Sequence, residues 1–176
     1  MQQLAPMHAA TLLMEQTVGT LLLLAREAES PSTGAPPTPV VPLVEQWVLA
    51  HADWLDARGL TLDLQLPRNA TLALPAPVLQ LALSSLLGNA VNHGQRGGQV
   101  QVSLDAAGLR VSNASAPLPP GVGGDFVKGQ ASGGFGLGLA IVRRLLASHG
   151  SRLELLHAEG CTQALISPPT RPHAPS

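Results

Sequence analysis

The sequence predicts an α/β fold built as one main domain. Apolar segments of helical period alternate along the chain with short strand-like ones, and two pairs of those strands are joined by tight turns. The chain has 176 residues, 45% of them hydrophobic, enough for a single ordinary core. Its only aromatic residues are Trp47, Trp54, Phe126 and Phe135, so that core must be aliphatic.

Taken in order, residues 7–29 read as helix, with Met14, Val18, Leu21, Ala25 and Ala28 spaced four and three apart as in a coiled-coil seam too short to hold a dimer alone. Ser30 to Pro42 carries five prolines among Ser, Thr and Gly, which stiffen the backbone and exclude helix, so it reads as a linker and a domain boundary. Pro42 then opens a helix at its first position, with Val44, Trp47, Val48 and Leu55 on the apolar face and an end near Gly59. Thr61–Leu66 alternates as a half-buried strand, with Thr71–Leu74 as its partner.

Pro77 starts a strongly apolar helix reaching about Asn92, followed by a turn through Gly94, Gly97 and Gly98. Val100–Leu104 and Leu109–Ser112 read as paired strands around Asp105–Gly108. From Asn113 to Phe135 the prolines and glycines predict a long loop without regular structure, of the kind that is either disordered or a lid over a ligand. Leu153–His157 and Thr162–Ser167 flank a Glu159-Gly160 turn as a hairpin, and Pro168–Ser176 is a polar, proline-rich tail.

Two stretches carry chemistry. Gly133, Gly134, Gly136 and Gly138 lead into a helix whose Leu137, Leu139, Ile141, Val142, Leu145 and Leu146 are apolar, with Gly150 placed to stop it. Such a junction offers unpaired N–H groups and the positive end of a helix dipole, which suit phosphate, although glycine linkers in front of helices commonly bind nothing. On the helix from Pro77, residues Ser85, Asn89, Asn92 and His93 share a sector of about 100°. Asparagine is a poor helix former, so two in mid-helix cost stability unless they are solvated or used.

The charge balance narrows the function. A net charge of −1 gives no broad basic field to recruit nucleic acid or an acidic membrane. A single cysteine, Cys161, forms no internal disulfide, so the cytoplasm is the expected compartment. The longest apolar run, Leu21–Ala25, is far short of a membrane span.

Over most of residues 11–167 the ordered motifs resemble the histidine-kinase catalytic domain, within the superfamily of gyrase-type ATPases and heat-shock chaperones. LLGNAVNHG at 86–94 is similar to its N box, DFVKG at 125–129 to its phenylalanine box, and GFGLGLAIVRRLLASHG at 134–150 to its second glycine box. TLLLLAREAE at 20–29 looks like the end of the second dimerisation helix. The resemblance implies a two-layer α/β sandwich: a mixed sheet of about five strands with helices near 42–57, 77–92 and 137–149 on one face. It divides the chain into a partial dimerisation helix and linker (1–38), an ATP-binding catalytic domain (39–168) and a disordered tail (169–176).

The resemblance also assigns roles. Asn89 would ligate Mg2+ through its carbonyl oxygen, and Asn92 and His93 would lie along the ribose and phosphates of ATP. Lys128 would be the catalytic lid cation at the γ-phosphate, packed in place by Phe126. Gly134, Gly136 and Gly138 would wrap the triphosphate while Leu137 and Leu139 anchor the helix. Two positions depart from the family pattern. Asn113 stands where an aspartate normally accepts the adenine amino hydrogen bond; its carbonyl can accept, without the charge. Ser85 stands where kinases have asparagine and hydrolytic relatives a glutamate that activates water, which serine has no basicity to do.

These roles imply phosphoryl transfer to a histidine by positioning and charge neutralisation. None of His8, His51, His149, His157 and His173 sits in an acceptor motif, so the expectation is a fragment that begins inside the second dimerisation helix. Its expected partners are the protein's own dimerisation helices in a homodimer and a response regulator, with no membrane contact by the fragment itself, which could be the cytoplasmic part of a membrane-bound sensor. Two other readings stay open: a degenerate nucleotide-binding-like domain serving as a partner-docking module, and a serine/threonine kinase of the anti-sigma-factor type, against which the 11–29 segment speaks.

Overall fold

The computed structural model describes residues 36–116 and 137–169. Along them run β1 (Thr38–Pro39), α1 (Val40–Ala50), α2 (Ala52–Arg58), β2 (Thr61–Gln65), β3 (Thr71–Leu72), α3 (Ala76–His93), β4 (Gln99–Asp105), β5 (Gly108–Ala114), α4 (Leu137–Ser148), β6 (Arg152–Ala158) and β7 (Cys161–Ser167). Five strands form one mixed sheet in the order β2-β4-β5-β7-β6, with β2 and β4 parallel and the other pairs antiparallel. Helix α3 packs on β5, α4 on β6, the two helices on each other, and α1 on α3. This is the α/β arrangement expected, with a mixed five-stranded sheet and helices against it. The expected helix over 7–29, Phe126, Lys128, Gly133, Gly134, Phe135 and Gly136 lie outside the described residues.

The helix expected over 42–57 is two helices. At His51 the backbone leaves the helical region (φ −122°, ψ 18°), while the imidazole Nδ1 lies 2.8 Å from the Trp47 carbonyl and the ring stacks on Trp47 at 4.3 Å. The same carbonyl accepts the His51 N–H at 3.1 Å, the closing bond of α1, and Trp54 and Leu55 start a new turn on the His51 carbonyl. Helix α1 also begins before Pro42, at Val40. Proline at the third helical position is tolerated because the first N–H groups of a helix have no intrahelical acceptor. The Val40 N–H is satisfied by the Ala70 carbonyl, so strand and helix already occupy the last residues of the expected linker.

Thr71–Leu74 is not the partner of β2. Thr71 and Leu72 pair instead with Pro39 and Thr38, and the Thr38 hydroxyl donates to the Leu74 carbonyl at 2.6 Å. Strand β2 pairs in parallel with β4, Thr61 opposite Gln99. Parallel neighbours need a long crossover, supplied here by the segment containing α3. As an edge strand, β2 leaves Leu64 39% exposed.

Helix α3 begins at Ala76 with Pro77 in its second position and buries Val78, Leu79, Leu83, Leu87 and Val91. Alternation in the sheet sends Val100, Val102, Leu109, Val111, Leu153, Leu155, Ala164 and Ile166 into the same core. Val142, Leu145 and Leu146 of α4 close it. Glu159 and Gly160 both take positive φ, 52° and 74°, the geometry that suits a two-residue hairpin between twisted strands. Strand β5 extends to Ala114, and Ser115 forms a bridge with Gly94, so the irregular stretch expected from Asn113 starts later than the sequence indicated.

Candidate functional site

The polar sector of α3 is not uniform. Ser85 is buried, Asn89 half-buried, and Asn92 and His93 exposed. Where the helix ends, a cleft opens between α3, the sheet and the start of α4. Its apolar walls include Leu86 and Ala90 of α3, Val111 of β5, Leu139 of α4 and Leu155 of β6. The polar residues Asn89, His93, Asn113, Ser115 and Thr162 also line it. Apolar walls with few polar groups suit a heteroaromatic base.

Sheet register explains the polar end. Asn113 of β5 lies opposite Thr162 of β7, on the core-facing side already used by Val111 and Ala164. Its Nδ2 donates to the Ala114 carbonyl at 3.2 Å, which turns a donor of the carboxamide away and leaves Oδ1 as an acceptor. The Thr162 hydroxyl is 2.6 Å from the Ser115 hydroxyl and 2.9 Å from His157 Nδ1. Two side chains, Ser115 just after β5 and His157 of β6, thereby fix the Thr162 hydroxyl of β7 at the rim.

Gly94 makes this junction possible. A β-carbon there would stand 2.4 Å from the Ala90 carbonyl oxygen and 3.4 Å from Asn113 Nδ2. The chain leaves α3 over Asn113 only because position 94 has no side chain, and the Gln95 N–H then donates to the Ala114 carbonyl at 2.8 Å. Next to it, desolvation first and the Arg58 guanidinium second hold the His93 pKa below its ordinary value, favouring the neutral imidazole.

Among the described residues no group of three or more His, Cys, Asp or Glu could hold a metal ion. A divalent ion at Asn89 would find one hard carbonyl oxygen there. That fits Mg2+, which keeps water and phosphate oxygens rather than needing an all-protein cage.

Of the residues singled out from the sequence, Asn89, His93, Asn113 and Leu139 meet in this cleft. Asn92 and Gly138 do not line it; Asn92 is exposed and Gly138 is the second residue of α4. Leu137 opens α4. Lys128, Gly134 and Gly136 lie outside the described residues. Sequence reasoning missed Ser115, Thr162 and His157. Pairing the hairpin strand with the strand ending in Asn113 would have brought Thr162 forward, but no local pattern specifies which strands pair.

The family model of the histidine kinase-, DNA gyrase B-, and HSP90-like ATPase matches residues 76–172. The signal transduction histidine-protein kinase BaeS of Escherichia coli strain K12 is 29% identical over 135 residues, 69% of this chain and 29% of that protein. The sensor protein QseC of the same strain is 35% identical over 97 residues, 51% of this chain and 22% of that protein. This chain thus spans less than a third of either relative. Among solved structures, the cytoplasmic segment of histidine kinase QseC superposes with a TM-score of 0.62 at 26% identity, covering 95% of this chain and 97% of that one. The Acinetobacter baumannii histidine kinase AdeS shares the fold with a TM-score of 0.68 at 17% identity, over 94% and 81% of the two chains. Asn89 and Asn113 lie in one cleft within the matched span, which covers more than half of the sequence, and the chain belongs to the histidine kinase-, DNA gyrase B-, and HSP90-like ATPase family.

Proposed function

We propose that this chain is the ATP-binding catalytic domain of a two-component sensor histidine kinase, which presents the γ-phosphoryl group of ATP to a histidine on a dimerisation helix. The observation that carries the reading is the cleft that joins the Asn89 carboxamide of α3, the Asn113 carboxamide of β5 and Leu139 at the start of α4. Family membership and the sensor-kinase relatives support it. MgATP, when bound, supplies the phosphoryl group and the cation that neutralises its charge.

The chain's own residues bind and orient. Leu86, Ala90, Leu139 and Leu155 form the walls for the base, and Asn113 Oδ1 accepts from its exocyclic amino group. Asn89 offers a hard carbonyl oxygen to the metal. Lys128, by its place in the sequence motif, pairs with the γ-phosphate, and Gly134 and Gly136 admit the phosphates close to the backbone. Ser85 is buried and does not line the cleft, so no general base stands at that position to activate water. The domain accordingly holds ATP for an external acceptor rather than hydrolysing it quickly. In the whole protein its partners are its own dimerisation helices, within a homodimer, and a response regulator, all in the cytoplasm. Among the described residues no helix is long and apolar enough to cross a membrane.

Calorimetric titration with ATP, with and without Mg2+, tests the reading. Saturable binding strengthened by Mg2+ and lost in Asn89→Ala is expected; no saturable binding at millimolar nucleotide would overturn it. Phosphoryl transfer from labelled ATP to a separately supplied acceptor-helix domain tests the kinase step. One feature favours a second reading, a nucleotide-poor docking module: the neutral carboxamide of Asn113 where the family carries a carboxylate. The same titration separates the two.

A further inference from the structure

Behind the cleft, a side chain from another element grips the end of α3. Arg58 is the last residue of α2, and Gly59 at φ +63° turns the chain immediately after it. Its Nη2 donates to two carbonyls, Asn92 at 3.0 Å and Gly94 at 2.8 Å. The grip is reciprocal: the Gly97 N–H donates to the Arg58 carbonyl at 3.0 Å, and Arg96 Nη2 donates to the Ala57 carbonyl at 2.9 Å.

Carbonyls in the last turn of a helix lack intrahelical donors and carry the negative end of the dipole. A guanidinium shared between two of them is a charge-assisted cap. The residues it holds flank His93, which lines the cleft, and include Gly94, which lies against the Asn113 carboxamide. Burial of Val78, Leu79, Leu83, Leu87 and Val91 secures the body of α3 without Arg58. What the arginine decides is the course of the last turn, where helix and sheet meet.

We propose that Arg58 is a positioning residue for nucleotide binding: by bridging the Asn92 and Gly94 carbonyls, it holds the end of α3 so that His93 and Asn113 keep their places in the cleft. This rests on the ATP-binding reading above. Arg58 touches no nucleotide and acts through the helix end it caps. Both bonds come from the single nitrogen Nη2, so a lysine ammonium, with three N–H donors on a shorter side chain, restores the charge and part of the reach.

The test uses Arg58→Gln and Arg58→Lys in the full chain with two readouts. The first is amide hydrogen exchange without nucleotide at Gly94, whose N–H donates to Ala90, and at Gln95, whose N–H donates to Ala114. The second is MgATP affinity measured well below the unfolding midpoint. In Arg58→Gln, exchange at these two amides rises while the amides of β5 and β7 stay protected, and the ATP dissociation constant increases about tenfold. Arg58→Lys recovers part of both. A lower unfolding midpoint with unchanged affinity would make the role merely structural and overturn the proposal, as would unchanged exchange at Gly94 and Gln95. If Arg58→Gln does not fold, Arg58→Lys decides by the same readouts. A wild-type chain that fails to bind ATP overturns the nucleotide reading itself, and Arg58 then has no ligand to position; unchanged exchange in the variants removes Arg58 alone.

Discussion

The Thr162 and Ser115 hydroxyl oxygens stand 2.6 Å apart at the rim of the cleft, joining β7 to the end of β5, and His157 holds the same threonine from the other side. Thr162→Val keeps the shape and removes both bonds. It leaves Ser115 and His157 without that partner, so stability should fall by about 1–2 kcal/mol and ATP affinity several-fold, with Thr162→Ser close to wild type. Urea unfolding and calorimetry on both variants check this.

Replacing Asn113 by aspartate should move stability and affinity in opposite directions. The donated bond to the Ala114 carbonyl is lost and a charge is placed at a site only 7% exposed, so the free protein is destabilised by about 1–3 kcal/mol. A carboxylate accepts more strongly from an amino group, so ATP should bind more tightly and be favoured more over GTP. Parallel titrations with the two nucleotides measure the ratio.

The depressed His93 pKa makes a definite pH statement. Between the folded and unfolded pKa values the unfolded chain binds more protons at this residue than the folded one. The stability it contributes is therefore complete above about pH 6.5, the unfolded value, and is lost as pH falls through the folded pKa. Denaturation midpoints measured downward from neutral pH should fall less steeply in His93→Gln than in wild type. Histidine proton resonances followed against pH should show the His93 pKa rising when Arg58 is replaced by glutamine.

Two leucines of α4 should separate folding from binding. Leu146 is fully buried and does not line the cleft, so Leu146→Ala costs about 2–5 kcal/mol and leaves ATP affinity unchanged at temperatures where the chain is folded. Leu139 is buried and forms a wall of the cleft, so Leu139→Ala weakens ATP binding as well. Unfolding curves and titrations on the pair provide the comparison.

Gly94→Ala tests the close approach of helix end and sheet. The new β-carbon meets the Ala90 carbonyl oxygen at 2.4 Å, and that backbone must shift, at a cost of about 1–3 kcal/mol. Because Asn113 lies beside it, ATP affinity should fall as well. Chemical denaturation together with the Asn113 side-chain amide resonances shows both effects.

Much of this architecture was legible in the residues themselves. The apolar period from Pro77, the alternation of Val100–Leu104 and the Glu159-Gly160 turn each reflect local geometry, and each appears in the fold close to its expected place. What local pattern could not carry was pairing and direction. The alternation of Leu62 and Leu64 marks a strand but is silent about a partner 38 residues away, and β3 pairs with Thr38–Pro39 instead. At His51 the backbone leaves the helical region in the middle of an otherwise continuous helical pattern, a break that propensity does not register. The site follows the same division: Asn89, His93 and Asn113 were found through motif and helical spacing, whereas Thr162 and Arg58 reach the cleft and the helix end behind it only through register and tertiary packing.

The strand order has a consequence for synthesis. Strand β7, the last in sequence among the described residues, lies inside the sheet between β5 and β6. While a ribosome is still short of Cys161, β5 has one open side, and the threonine that completes the pocket rim has not been made. The pocket is therefore finished by β7 rather than assembled from the N-terminus onward, and a chain released after Gly160 should be unable to retain nucleotide however well its helices have formed.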